Sequence, residues 1–432
     1  MVLIKYRIFV HSIESIFMMY RQYVRVFAWI SALFLMSMTT LHGTIYPTLL
    51  GENNKITIPF TNINGFIVID VVIQNIFIQK MILDTGAEHT ILFPNQSIQL
   101  LRLPVHKKIK VQGADLKSEI IASVSNGALL SIVNTATVRT NLILLEDKSF
   151  DFSQYLGIEI SGIVGMELFK SMILHIDYKN NTITLHDSES FNPKLIKNHH
   201  AESIKIVDNK PYITSTVSIN PSDQSKVMLL LDTGAGMTAM LHNNTDSTLT
   251  LPAVVVSGNI GKGISGDVEG FSGKVLRLHF GALEFQNLIV HFQALDSMYI
   301  NSKKFIRNGI IGNQILSRLD IYIDFMHDVC YIKPLKGYDK HFEMDKSGMT
   351  VFSFGANLNQ YYVKYVLKDS PADKADIRVG DVIKKMGFWN SRFLTLKNIS
   401  KKLSGKAGDE IHLTIDRHGQ KIKKVIRLRD LL

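Results

Sequence analysis

A mainly β chain of two similar lobes, followed by a small domain of strands with two short helices, is the fold class this sequence predicts. Three observations carry that reading. Asp-Thr-Gly-Ala occurs at 84–87 and again at 232–235, 148 residues apart, each time closing an apolar run and each time followed at the same distance by a Thr, Thr90 and Thr238. "SGIVGMELFKSMILHIDY" begins 77 residues after Asp84, and "NGIIGNQILSRLDIYIDF" begins 76 residues after Asp232. Composition then shifts at "KPLKGYDKHFEMDKSG", beyond which the pattern matches neither copy. Repetition over this length marks two copies of one structural unit.

At the N-terminus, Arg21 and Arg25 precede the apolar run "VFAWISALFLMSM" at 26–38, followed by "TTLHGT". A positive flank, a short apolar stretch and a small-residue exit form the pattern of a secretory signal. At 13 residues the run falls short of the ~20 that span a bilayer. Residues 1–43 are expected to be a signal peptide or an uncleaved N-terminal anchor, and the protein to be exported: periplasmic, cell-envelope or secreted. Met18 or Met19 would give a more ordinary start than Met1. The stretch 44–61 reads as a short pro-segment or a first strand.

The first lobe is expected over 44–195. "GFIVIDVVIQNIFIQKMIL" reads as a hairpin, with β-branched strands broken at Gln74-Asn75 and the second strand ending on Asp84. The second lobe, 196–340, repeats this with "PYITSTVSINPSDQSKVMLLL", whose turn lies at 220–225 and whose second strand ends on Asp232. Downstream, Gly162 and Gly165 match Gly309 and Gly312, and Asp177 matches Asp324. Residues 341–432 form the third domain. "QYYVKYVLKDS" is a strand, "PADKADI" a short helix with Pro371 in its first turn, "TLKNISKKL" an amphipathic helix, and "DEIHLTIDRHGQKIKKVIRL" a hairpin.

Composition narrows the function classes. The chain is 46% hydrophobic and 20% charged, as folded globular proteins are. The single cysteine, Cys330, excludes a disulfide framework and a cysteine-based zinc site. His199-His200 lies in a polar linker with no third ligand near, so a solvated pair is expected and no metal. Of the net +10, residues 341–432 carry +8 and 44–340 about −1. A nucleic-acid enzyme would place its basic surface beside its working site, whereas the repeated motif lies in the near-neutral part. No nucleic acid and no cofactor are expected.

The doubled Asp-Thr-Gly carries the chemistry. An apolar strand ending in Asp sets a carboxylate at the border of a core, where burial is costly unless the group is paired. If the lobes pack about a pseudo-twofold axis, Asp84 and Asp232 meet on it. Two carboxylates sharing a site do not both ionise easily, so one keeps a proton. The aspartic-protease dyad is the usual example of that effect, and the pair then offers a base and an acid together. Thr85 and Thr233 can cross-bond the loops, and Gly86 and Gly234 let backbone approach the carboxylates.

On these residues the chain resembles the clan of aspartic proteases that includes retropepsins and pepsins. Asp-Thr-Gly-Ala is closer to the retropepsin-like form, while two lobes in one chain are pepsin-like. The resemblance implies a bilobed acid-protease fold, an aspartic-type endopeptidase with Asp84 and Asp232 catalytic, polypeptide substrates and a monomer. Thr85, Gly86, Thr233 and Gly234 are then supporting residues, and the Gly162 and Gly309 segments pack behind the active-site loops. No flap tyrosine stands between Asp84 and Tyr155; a first-lobe flap is expected around Gly113 and a second-lobe cover around Gly261 and Gly263, within six glycines over 258–273. "KDSPADKADIRVGDVI" resembles PDZ domains of the bacterial protease-associated type, with Asp376 in place of the usual Gly. That implies a groove taking a peptide C-terminus by strand addition, with Phe352, Phe354, Tyr361, Val363 and Tyr365 as its expected lining and 361–367 as the edge. The alternative is a protease-like scaffold that holds peptides without cutting them. Membrane contact is expected only through an uncleaved N-terminal segment.

Overall fold

The computed structural model describes residues 49–51, 53–113, 119–147, 152–221, 223–301, 307–342 and 344–432. All of them belong to one compact unit, Thr48–Leu432. The expected signal or anchor at 1–43 lies outside the described residues.

Among the described residues strands dominate and form three sheets. In the first lobe the order is Thr61–Ile63, Phe66–Ile73, Phe77–Leu83, Gly162–Val164, Ile91–Leu92, Val138–Leu145, Glu119–Ile132 and Lys107–Gln112. In the second it is His200–Val207, Lys210–Ser218, Ser225–Asp232, Gly309–Gly312, Ala239–Leu241, Leu283–Phe292, Gly266–Phe280 and Val255–Gly263. The two orders match place for place. Each lobe also curls shut by the same extra pairing, Phe66–Ile73 with Glu119–Ile132 and Lys210–Ser218 with Gly266–Phe280. Hairpin geometry follows the turn residues. Gln74 and Asn75 both adopt positive φ, as do Asp208 and Asn209, which matches the right-handed twist of the flanking strands.

The lobes join through one sheet. Met172–Asp177 of the first lobe pairs antiparallel with Leu319–Asp324 of the second, setting His175 opposite Tyr322 and Leu174 opposite Ile323. Their apolar faces merge into a single core that holds Phe169, Leu174 and Ile176 beside Leu316, Ile321 and Ile323. On the other face the His175 ring stacks on Tyr322 at 3.8 Å. His175 Nε2 and His199 Nε2 reach the two oxygens of Asp320 at 2.7 and 3.2 Å. This corrects the reading of His199 as solvated: its side chain is buried in the seam.

The third sheet, Met349–Phe354, Gln360–Val366, Val382–Met386, Glu410–Arg417 and Gln420–Arg427, has its own core around Val363, Ile383, Ile399 and Ile415. Its order corrects the expected peptide groove. Gln360–Val366 lies between Met349–Phe354 and Val382–Met386 and pairs with the latter at Tyr361 and Tyr362, so the outer strand of the sheet on this side is Met349–Phe354. Tyr361 and Val363 belong to the domain core, and the Tyr361 hydroxyl donates to Leu394 O at 2.6 Å. Phe352 is buried against the first lobe, its ring 5.5 Å from Tyr155. Phe354 packs edge-on against Tyr362.

This domain rests on both lobes. Ser353 Oγ donates to Gln154 O at 2.9 Å beside the first-lobe helix Phe152–Leu156. The Tyr365 hydroxyl donates to Asp267 of the second lobe, and Lys262 Nζ stands 5.4 Å over the Phe352 ring.

Candidate active site

Each Asp-Thr-Gly loop leaves a buried strand. Phe77–Leu83 pairs in parallel with Gly162–Val164, and Asp84 N donates to Val164 O at 3.1 Å. Ser225–Asp232 pairs in parallel with Gly309–Gly312, with Asp232 opposite Gly312. Glycine is needed behind the loops: a Cβ on Gly165 would lie 2.3 Å from His89 C, and one on Gly312 would lie 2.3 Å from Met237 O. Two residues beyond each of these glycines a side chain ties the loop back. Glu167 Oε1 accepts Thr90 N–H at 2.9 Å, and Gln314 Nε2 donates to Gly236 O at 3.1 Å.

The two loops are cross-bonded. Thr85 N donates to Thr233 Oγ1 and Thr233 N to Thr85 Oγ1, both at 3.0 Å. Thr85 Oγ1 donates to Leu231 O at 2.6 Å, and Thr233 Oγ1 to Leu83 O at 2.7 Å. These four bonds are buried and related by the pseudo-twofold axis. They leave the two carboxyl groups face to face across it. Gly86 N donates to Asp84 Oδ1 at 2.7 Å and Gly234 N to Asp232 Oδ1 at 2.9 Å. A Cβ on Gly234 would lie 2.3 Å from Asp84 Cγ, and one on Gly86 2.7 Å from Asp232 Cγ. A side chain at either place would displace the facing carboxyl.

Both carboxyl groups are half-buried. Burial, then the charge of Asp232, then the hydrogen bond with Asp232 raise Asp84 well above the usual carboxylate range. Burial raises Asp232 as well, but the hydrogen bond from Asp84 and the positive charge of Arg307 oppose it. Both groups are raised and they interact, so the pair favours holding one proton between its two carboxyls.

Around this centre, Gly113 is buried at the end of Lys107–Gln112, and the residues after it, 114–118, lie outside the described residues. Gly261 and Gly263 lie on Val255–Gly263, where a Cβ on Gly261 would touch Met237 Cε at 3.4 Å. Ile260 and Val268 of this hairpin pack with Ala235 and Met237 of the second loop, and Ile264 at its tip packs against the first lobe. Sequence reasoning passed over Lys210. Burial and the charge of Arg307 lower its pKa, while Glu88, Asp208 and Asp84 act the other way. Nothing in the linear pattern marks it, since strand pairing alone brings it to the site. Glu167 and Gln314 could have been found by aligning the two copies. Among the described residues no group of three or more His, Cys, Asp or Glu is placed to hold a metal ion.

No family model matches the chain. A curated relative, a "Probable CtpA-like serine protease" from Staphylococcus saprophyticus subsp. saprophyticus, is 33% identical over 135 residues, covering 30% of this chain. The chain spans about a quarter of that relative, 26% of its length. An aspartic proteinase from Irpex lacteus superposes with a TM-score of 0.44 at 11% identity, covering 66% of this chain and 99% of that one. The name of the sequence relative, a protease of serine type, contradicts the enzyme class expected from the motif, an aspartic-type endopeptidase, over the 30% of the chain that the match covers.

Proposed function

We propose that this chain hydrolyses peptide bonds with a water molecule activated between Asp84 and Asp232. The observation that supports the reading is the cross-bonded pair of loops, which aligns two carboxyl groups and lets them share one proton. In the first step Asp232 takes a proton from the water as its oxygen bonds to the carbonyl carbon. Asp84 gives its proton to the carbonyl oxygen, leaving a tetrahedral diol. Asp232 then gives its proton to the amide nitrogen, a diol hydroxyl returns a proton to Asp84 as the C–N bond breaks, and a carboxyl and an amine leave. The backbone N–H groups of Gly86 and Gly234 hold the carboxyl groups in place throughout.

Polypeptides are the proposed substrates, with residues 44–195 and 196–340 as the two lobes and 341–432 as a PDZ-like docking domain. A peptide added as a strand would meet Met349–Phe354, the edge where the first-lobe helix also lies. The pattern at 26–38 supports export, and among the described residues no helix is long and apolar enough to cross a membrane. N-terminal sequencing of the mature protein tests this: a start beyond Met38 is expected.

A second reading follows the serine-type relative. Ser272 Oγ and His291 Nδ1 lie 2.8 Å apart on neighbouring strands, as a nucleophile and base would. A diverse peptide mixture separates the readings. Cleavage lost in Asp84→Asn and kept in Ser272→Ala supports the carboxylate pair, and the reverse supports the serine. Binding without cleavage supports a scaffold.

A further inference from the structure

The C-terminal domain carries an exposed apolar tip. Val382–Met386 runs into Gly387, and the chain then turns out through Phe388 and Trp389 before the short helix Ser391–Phe393. Phe388 is fully exposed, and Trp389 and Phe393 are 58% and 67% exposed. Three large exposed rings within six residues are an unusual concentration of apolar surface.

Their setting is cationic. Residues 382–408 contain seven Lys or Arg and no Asp or Glu. Lys385, Arg392, Lys397, Lys401, Lys402 and Lys406 are all exposed. Arg392 lies 5.4 Å over the Phe393 ring. Trp389 and Phe393 share with Lys401 and Lys402 the wall of an open depression of about 740 Å³. Two acids, Asp409 and Glu410, also border it. Asp409 is taken by Lys406 N at 2.9 Å, and Glu410 faces His412 at 3.8 Å. The helix Leu396–Leu403 buries Leu396, Ile399 and Leu403 in the domain core, so its lysines face outward.

From this geometry we infer that the tip at 388–393 inserts into the surface of a bilayer rich in anionic lipid, with the surrounding lysines held at its headgroups. Aromatic rings flanked by Lys and Arg suit the interfacial layer, where ring bodies meet acyl chains and cations meet phosphates. Exposed rings set among cations, with the two bordering acids bonded within the domain, are complementary to that layer. The proposal is independent of the hydrolytic reading, because it uses no residue of the carboxylate site.

Trp29 and Trp389 are the only tryptophans, so full-length Trp29→Phe reports on the tip alone. Mixed with phosphatidylcholine vesicles containing phosphatidylglycerol, Trp389 emission should shift to shorter wavelength and be quenched by brominated acyl chains. Pure phosphatidylcholine should give neither effect. Lys401→Ala with Lys402→Ala should weaken the response about thirtyfold, since each cation near an anionic surface contributes about fivefold. Phe388→Ala with Phe393→Ala should abolish quenching. Unchanged Trp389 emission on vesicles that carry bound protein would overturn the proposal. So would a shift that appears with rising protein concentration in the absence of lipid, which would mark the tip as a contact between copies.

Discussion

Replacing Thr85 by Val tests the cross-bonded loops directly. Valine keeps the shape of threonine and removes one hydroxyl. That hydroxyl donates to Leu231 O at 2.6 Å and accepts from Thr233 N at 3.0 Å. Thr85 is fully buried and Thr233 nearly so, 0% and 1% exposed, so water does not replace either bond. Two backbone groups of the opposite lobe are left unpaired, at about 1–3 kcal/mol each. The expected loss is about 2–6 kcal/mol, a large share of the ~5–15 kcal/mol that keeps a typical protein folded. Urea unfolding followed by circular dichroism measures it, and Thr85→Ser, which keeps the hydroxyl, should stay within about 1 kcal/mol of the parent. Thr85→Val falling as close to the parent as Thr85→Ser would refute the reasoning, because the two hydrogen bonds would then not join the lobes.

Four further outcomes follow. Gly234→Ala, whose Cβ would lie 2.3 Å from Asp84 Cγ, should keep the fold and lower peptide hydrolysis by roughly a hundredfold or more, since misplacing a reacting group by an ångström costs about that much; initial rates check it. Hydrolysis should be bell-shaped in pH, failing at high pH as Asp84, raised by burial and by Asp232, loses its proton, and at low pH as Asp232 gains one; Asp84 also stabilises the fold only while protonated, so stability should decline as pH rises through its raised value, and Asp84→Asn should flatten that limb in denaturation curves. Burial, with the nearby His175 and Lys55, lowers His186 to about 4; its neutral form is favoured in the fold, so its contribution is present above about 6.5 and lost as pH falls toward 4, a slope that His186→Phe should remove. Ending the chain at residue 340 removes Tyr365 and Phe352 from the 255–268 hairpin and should raise its amide hydrogen exchange, while short-peptide cleavage persists; loss of that cleavage in a folded product would make the C-terminal domain part of the catalytic machinery.

The β class was legible because duplication wrote the hairpin before each Asp-Thr-Gly twice, with turn residues at Gln74-Asn75 and at 220–225. The pairing of like elements was legible for the same reason: Asp84 lies 148 residues before Asp232 and Gly162 lies 147 residues before Gly309. What a linear pattern does not carry is how strands lie in space. Gln360–Val366 has the alternation and β-branching of an edge strand, yet a neighbour on each side makes it interior, so Tyr361 and Val363 became core residues. His199 reads as solvated until its approach to Asp320 is seen. Phe352 and Tyr365 read as groove residues because nothing in the sequence shows that the C-terminal domain sits on the first-lobe helix and the second-lobe hairpin.

The central claim is that water activated between Asp84 and Asp232 cleaves peptide bonds. Incubating the folded protein with a diverse peptide mixture, and reading new termini by mass spectrometry for the parent, Asp84→Asn and Asp232→Asn, tests it most directly. New termini from the parent and none from either variant are predicted, with no loss on treating the parent with a serine-reactive fluorophosphonate. Undiminished cleavage by either variant, or cleavage abolished by the fluorophosphonate, would contradict it.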